Sequence, residues 1–166
     1  MRRRISTFLL LFAAGFLSAP HLGAQTAAEM DALLETQAVT VSAAARFIFE
    51  AANLLPPGLS GFEAERTAYN IALQNKWTKA SAGRAITLRE TAFLTMKAFK
   101  LRGGIMYFIF SGPRYAYREM VYRGLIQGKA DPAMTVSGKR LLHIIGRTLD
   151  FTPEYELTVY LTNEGW

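Results

Sequence analysis

Three arginines and three tyrosines interleave through Pro113-Arg114-Tyr115-Ala116-Tyr117-Arg118-Glu119-Met120-Val121-Tyr122-Arg123. A guanidinium binds carboxylate or phosphate through paired hydrogen bonds, and sugar rings stack on aromatic faces, so this composition suits an anionic glycan. On a helix, Arg114 and Arg118 are four residues apart and Tyr115 and Tyr122 seven, which brings them near one face. The competing reading turns Tyr117 and Val121 to the core and leaves the arginines to solvate the outside.

Two carboxylates and one histidine are the other residues with reactive chemistry. Glu119 lies on the same amphipathic segment, without the second carboxylate that glycoside hydrolysis requires. Glu90 follows Thr87 by three residues, the spacing of a reciprocal capping box, so helix capping explains it before ligand binding does. His143 reads as a core or boundary residue, and the only other histidine, His21, lies in the N-terminal leader. One histidine supports neither a metal cluster nor a Ser-His-Asp set, and cysteine is absent. No glycine-rich nucleotide loop occurs. The chain is expected to be non-enzymatic, with no metal and no cofactor.

The N-terminus begins Met1-Arg2-Arg3-Arg4, continues with an apolar run from Phe8 to Leu17, and ends in small residues near Leu22-Gly23-Ala24. That order is a secretory signal peptide, residues 1–24, with cleavage expected after Ala24. Export to the periplasm or cell surface follows, and no other segment is long enough to cross a membrane, so the processed chain is not expected to be integral. Without cysteine there is neither a lipid-acylated cleavage site nor a disulfide, and packing must supply the stability. The net charge of +6 includes the three leader arginines and no leader acid, leaving +3 after cleavage, too mild a balance to favour nucleic acid.

An internal repeat organises the rest. Val39-Thr40-Val41, Ile86-Thr87-Leu88 and Met134-Thr135-Val136 recur 47 and then 48 residues apart. Counting from each Thr, the seventh residue is Phe47, Leu94 or Leu142, the eleventh is Ala51, Ala98 or Gly146, and the fourteenth is Leu54, Leu101 or Leu149. These steps trace one helical stripe. Upstream, Tyr69, Leu73 and Trp77 stand 18, 14 and 10 residues before Thr87, as Tyr117, Val121 and Leu125 do before Thr135. The repeating unit is therefore a pair of helices, six in all.

Helices are expected at about 27–35, 40–53, 63–77, 87–102, 114–123 and 135–149, making residues 25–149 one all-α domain. Ile105 to Phe110 is expected as an inter-helix loop whose apolar side chains fill space. The tail, 150–166, is expected to be extended, with β-branched and aromatic residues at Glu156 to Leu161 forming a candidate short strand that docks on the helices or adds to another chain.

Gly124-Leu125-Ile126-Gln127-Gly128 followed by Met134-Thr135, and Ile86-Thr87-Leu88-Arg89-Glu90, resemble the turn and the Ile-Thr-Arg-Ala-Glu signature of the S-layer homology repeat. The resemblance covers about 27–149. It implies a three-repeat helical prism and, through the family's arginine and glutamate, binding of anionic cell-wall polysaccharide between repeats. The family's arginine position is occupied here by Val41, Leu88 and Val136, and its glutamate position by Ala43, Glu90 and Gly138; Arg89 stands one residue out of register.

The expected function is a cell-envelope-binding module contacting peptidoglycan or an associated anionic polymer, with Arg89, Glu90, Arg114, Tyr115, Arg118 and Tyr122 as candidate ligand-binding residues. The alternative is a periplasmic scaffold that keeps the helical fold and binds a cell-envelope protein instead.

Overall fold

The computed structural model describes residues 22–128 and 131–163; the leader that carries the signal-peptide reading lies outside the described residues, apart from its last three. Seven helices and no strands occur among them: α1 (Leu22–Glu35), α2 (Val41–Ala51), α3 (Gly61–Gln74), α4 (Leu88–Ala98), α5 (Ile105–Ile109), α6 (Pro113–Tyr122) and α7 (Gly138–Asn163). None of them is long and apolar enough to cross a membrane.

Three backbone hydrogen bonds close a ring where the apolar-hydroxyl steps meet. Val39 N–H donates to the Val136 carbonyl (2.9 Å), Val136 N–H to Ile86 (3.2 Å), and Ile86 N–H to Val39 (2.8 Å). All three side chains are buried. Each ring residue immediately precedes a hydroxyl residue, Thr40, Thr87 or Ser137, and the next residue begins α2, α4 or α7. A second set then satisfies first-turn amides that a helix cannot bond internally: Val41 N–H to Arg84, Leu88 to Met134, and Gly138 to Thr36, each at 2.9 Å.

This geometry corrects the third register. The residue that begins the third inner helix is Gly138, and the hydroxyl preceding it is Ser137, whose Oγ accepts from Arg140 N–H at 3.4 Å. Thr135 instead bridges Thr87 across the chain. Met134-Thr135 and Val136-Ser137 have the same local chemistry, and only the distant ring partners distinguish them.

The helix ends explain the leucines at the fourteenth position. Asn53, Lys76, Lys100 and Gly124 adopt positive φ (53°, 58°, 52° and 71°), and each begins the same closing pattern. Its own N–H bonds three residues back, and the next N–H, from Leu54, Trp77, Leu101 or Leu125, bonds five residues back, to Phe49, Ala72, Met96 or Met120. This is the Schellman motif with its apolar residue beyond the cap. Leu149 has no such role, because α7 runs on past it, and it is exposed.

The inner helices α2, α4 and α7 touch one another, and each packs against one outer helix: α3 on α2, α6 on α4 and α1 on α7. The spatial pairs are thus offset by one helix from the expected sequence unit, because each Schellman turn folds the chain back onto the helix it has just left. The outer helices bury Ala64, Ala68 and Ala72, and Ala116 and Met120, leaving Leu73 and Val121 exposed. The buried stripe lies one residue before the expected one, since alanine lets helices approach closely. At the α1–α2–α3 junction, buried Arg46 pairs with Glu29 and Glu50, and Glu29 also accepts Gly61 N–H at 3.1 Å. Burial opposes ionisation of Arg46, and the two carboxylates outweigh it and raise its pKa.

Two segments differ from expectation. Ile105 to Ile109 is a short helix with most of its apolar side chains in solvent, and only Tyr107 is buried. The tail from Asp150 to Asn163 continues α7 as helix and forms no extended strand. Extending an established helix by one residue costs little, so propagation from α7 prevails over the β-branched composition and the missing N–H of Pro153.

Two predictions follow from these contacts. A Cβ on Gly138 would lie 1.7 Å from the Leu33 carbonyl oxygen, so Gly138→Ala is expected to destabilise by about 3 kcal/mol, read as a lower urea midpoint. Lys100→Gly relieves a positive φ at an exposed cap and is expected to stabilise by about 0.5–1 kcal/mol, a rise of a few degrees in Tm.

Candidate functional site

The link between α3 and α4, the first turn of α4 and the start of α6 enclose a groove of about 590 Å³. The Schellman turn at Lys76 starts the link and sets Lys76, Trp77 and Lys79 along one wall. Anchored by the ring at Ile86, α4 contributes Arg89, Glu90 and Phe93; Ser111, Pro113 and Arg114 close the other side. Trp77 is fixed edge-on against Phe49, with ring centroids 5.7 Å apart, and Tyr69 Oη donates to Ala80 C=O at 2.9 Å, which holds the link to α3.

Four cations therefore face a single carboxylate, and that carboxylate is occupied. Glu90 Oε2 accepts the Thr87 N–H (3.0 Å) and hydroxyl (2.5 Å), completing the capping box, while its Oε1 accepts Arg84 Nη2 (2.5 Å). Partial burial alone would raise the Glu90 pKa, but the hydrogen bonds from Thr87 and Arg84 overcome it and hold the carboxyl below its ordinary value. No ion pair among the described residues engages Lys76, Lys79, Arg89 or Arg114. Such a groove can receive a polyanion, with Trp77 and Phe93 as apolar floor.

The sequence-derived candidates divide between two places. Arg89, Glu90 and Arg114 share the groove, with Glu90 in a structural role. Tyr115, Arg118 and Tyr122 instead line a separate concavity of about 360 Å³ with Gly104 to Tyr107, so the Arg/Tyr segment of α6 does not form one surface. Glu119 is structural as well: it accepts Arg123 Nε at 2.8 Å and Gly104 N–H at 3.1 Å, tying the α5 link to α6. His143 is exposed, not in the core, and accepts Arg147 Nε at 3.3 Å. Lys76, Trp77 and Lys79 were not among the candidates, although Lys76-Trp77-Thr78-Lys79 is itself a basic-aromatic run.

Comparison with protein-family models, with curated proteins and with solved structures finds no match to the chain.

The Glu90 cap sets a pH dependence. A carboxyl with a depressed folded-state pKa contributes stability that is present above its ordinary pKa and lost as pH falls through the folded value. Glu90→Gln is expected to cost about 1 kcal/mol at pH 7, with the difference from the unmodified protein vanishing in acid. Urea unfolding at several pH values measures it.

Proposed function

We propose that this chain is a non-enzymatic, exported module that binds the cell envelope through an anionic polymer, built as an S-layer-homology-like prism of three helix pairs. The observation that carries this reading is the convergence of Lys76, Lys79, Arg89 and Arg114, none in an ion pair among the described residues, around Trp77 and Phe93. A row of such cations repels itself and is relieved by a multivalent anion, while the partly exposed Trp77 offers a sugar ring a stacking surface. The leader sequence supplies the route out of the cytoplasm.

One observation favours the alternative, a periplasmic scaffold that binds a protein. The family's arginine position falls at Val41 and Leu88, which are core residues, and Glu90 is engaged in its cap. On the polymer reading the contact has moved along the groove to cations that the family signature does not contain.

Co-sedimentation with purified peptidoglycan carrying its anionic polymer, and with the same wall stripped of that polymer, separates the two. Retention at low ionic strength is expected on the intact wall, weakened by salt and reduced about tenfold by Lys79→Ala combined with Arg114→Ala. Failure of the unmodified protein to sediment with intact wall, together with a stoichiometric crosslinked protein partner, would establish the scaffold.

A further inference from the structure

We infer that the α5 projection is a membrane-docking element that inserts into the interfacial region of an anionic lipid bilayer. It goes beyond the polymer-binding reading and does not rest on it, since it uses different side chains.

The segment has unusual exposure for its composition. Ile105 is 77% exposed and Phe108 85%, and Met106, Ile109 and Phe110 are each more than half exposed. Soluble surfaces rarely gather such side chains into six consecutive residues; a contiguous patch marks a binding site. Tyr107 alone turns inward, at 8% exposure, with Lys97 Nζ lying 5.8 Å from its ring centroid. Gly103-Gly104 and Ser111-Gly112 flank the projection, and Phe110 stacks on Tyr115 with centroids 5.7 Å apart. The projection is therefore a fixed feature with its apolar side chains held outward.

Its shape favours lipid over a protein groove. At roughly 100° per residue, Ile105, Met106, Phe108 and Ile109 spread over an arc of roughly 160°. A helix seated in a protein groove needs a narrower stripe of anchors, whereas hydrocarbon accepts apolar side chains over a wide arc. Five helical residues span about 7–8 Å, matching the depth of about 5–10 Å reached by interfacial elements.

The surrounding charge identifies the lipid. Lys97, whose Nζ lies over the Tyr107 ring, Arg102, beside Ile105 and Phe108, and Arg118, beside Ile105 and Met106, border the projection, and the acid at its base, Glu119, is engaged by Arg123 Nε and Gly104 N–H. A basic collar about an apolar tip complements anionic headgroups, and each such residue near the surface adds attraction that salt screens. Tyr115 and Tyr122, beside Arg118, suit the headgroup level, where amphipathic rings concentrate.

Vesicle co-sedimentation of the full chain, with phosphatidylcholine alone and with added phosphatidylglycerol, tests this. Binding is expected only with phosphatidylglycerol, decreasing with salt, and at least about tenfold weaker for Phe108→Ser combined with Ile109→Ser. Both side chains are exposed, so circular dichroism and Tm of the variant should match the unmodified protein. Ile109→Trp gives a second readout, a blue shift of its emission on phosphatidylglycerol vesicles. Absence of binding to either lipid, equal binding to both, or undiminished binding of the double variant would overturn the inference. So would self-association, seen by analytical ultracentrifugation, that the double variant abolishes while the unmodified protein ignores vesicles; the face would then join two copies of this chain.

Discussion

The ring of backbone hydrogen bonds through Val39, Ile86 and Val136 is the constraint from which the rest of the architecture follows. Each residue donates to one neighbour and accepts from the other, so no member can shift without breaking two bonds. Burial of their side chains makes a broken bond expensive, because the freed N–H and C=O groups have no water to take them. Three helices begin directly after this ring, and a further layer of bonds from Val41, Leu88 and Gly138 satisfies their first turns. The directions in which α2, α4 and α7 leave the centre are therefore set at their N-termini, before side-chain packing refines them.

Both surface features depend on that anchoring. The cationic groove lies against the first turn of α4, so Arg89 and Phe93 are placed by a helix start that the ring fixes, and Lys76 to Ala80 by the link that enters it. The α5 projection leaves the opposite end of α4, after the Schellman turn at Lys100, and Glu119 holds its base through Gly104 N–H. Acids sit where they neutralise structure: Glu90 at a cap, Glu119 at the base of the projection, and Glu29 and Glu50 on buried Arg46. What remains on the α4–α6 side is Arg89 and Arg114, in no ion pair among the described residues, together with exposed apolar surface.

Much of this was legible where the signal is local. Thr40 and Thr87 cap helices because a hydroxyl before a helical run can accept a first-turn amide, and Glu90 three residues on completes a box; neither needs a distant partner. The third start was misplaced by two residues because Thr135 and Ser137 offer the same local chemistry, and the choice belongs to bonds with Ile86 and Thr36. The outer stripe was displaced by one residue because Tyr, Leu and Val dominate a periodicity reading, while the residues buried against the inner helices are four alanines and Met120. The apolar composition of α5 pointed to buried filling, and only the tertiary structure shows that, among the described residues, all of its side chains but Tyr107 stay exposed. The groove was half legible: Arg89 and Arg114 stood out singly, but their convergence with Lys76 and Lys79 comes from three chain segments that no spacing relates.

Site-resolved amide hydrogen exchange under native conditions tests the central constraint most directly. If the ring holds the inner helices together, the amides of Val39, Ile86 and Val136 exchange only through global unfolding, as slowly as the slowest amides of α4 and with the same dependence on urea. Exchange of any of the three at rates typical of the surrounding links, without denaturant dependence, would contradict it.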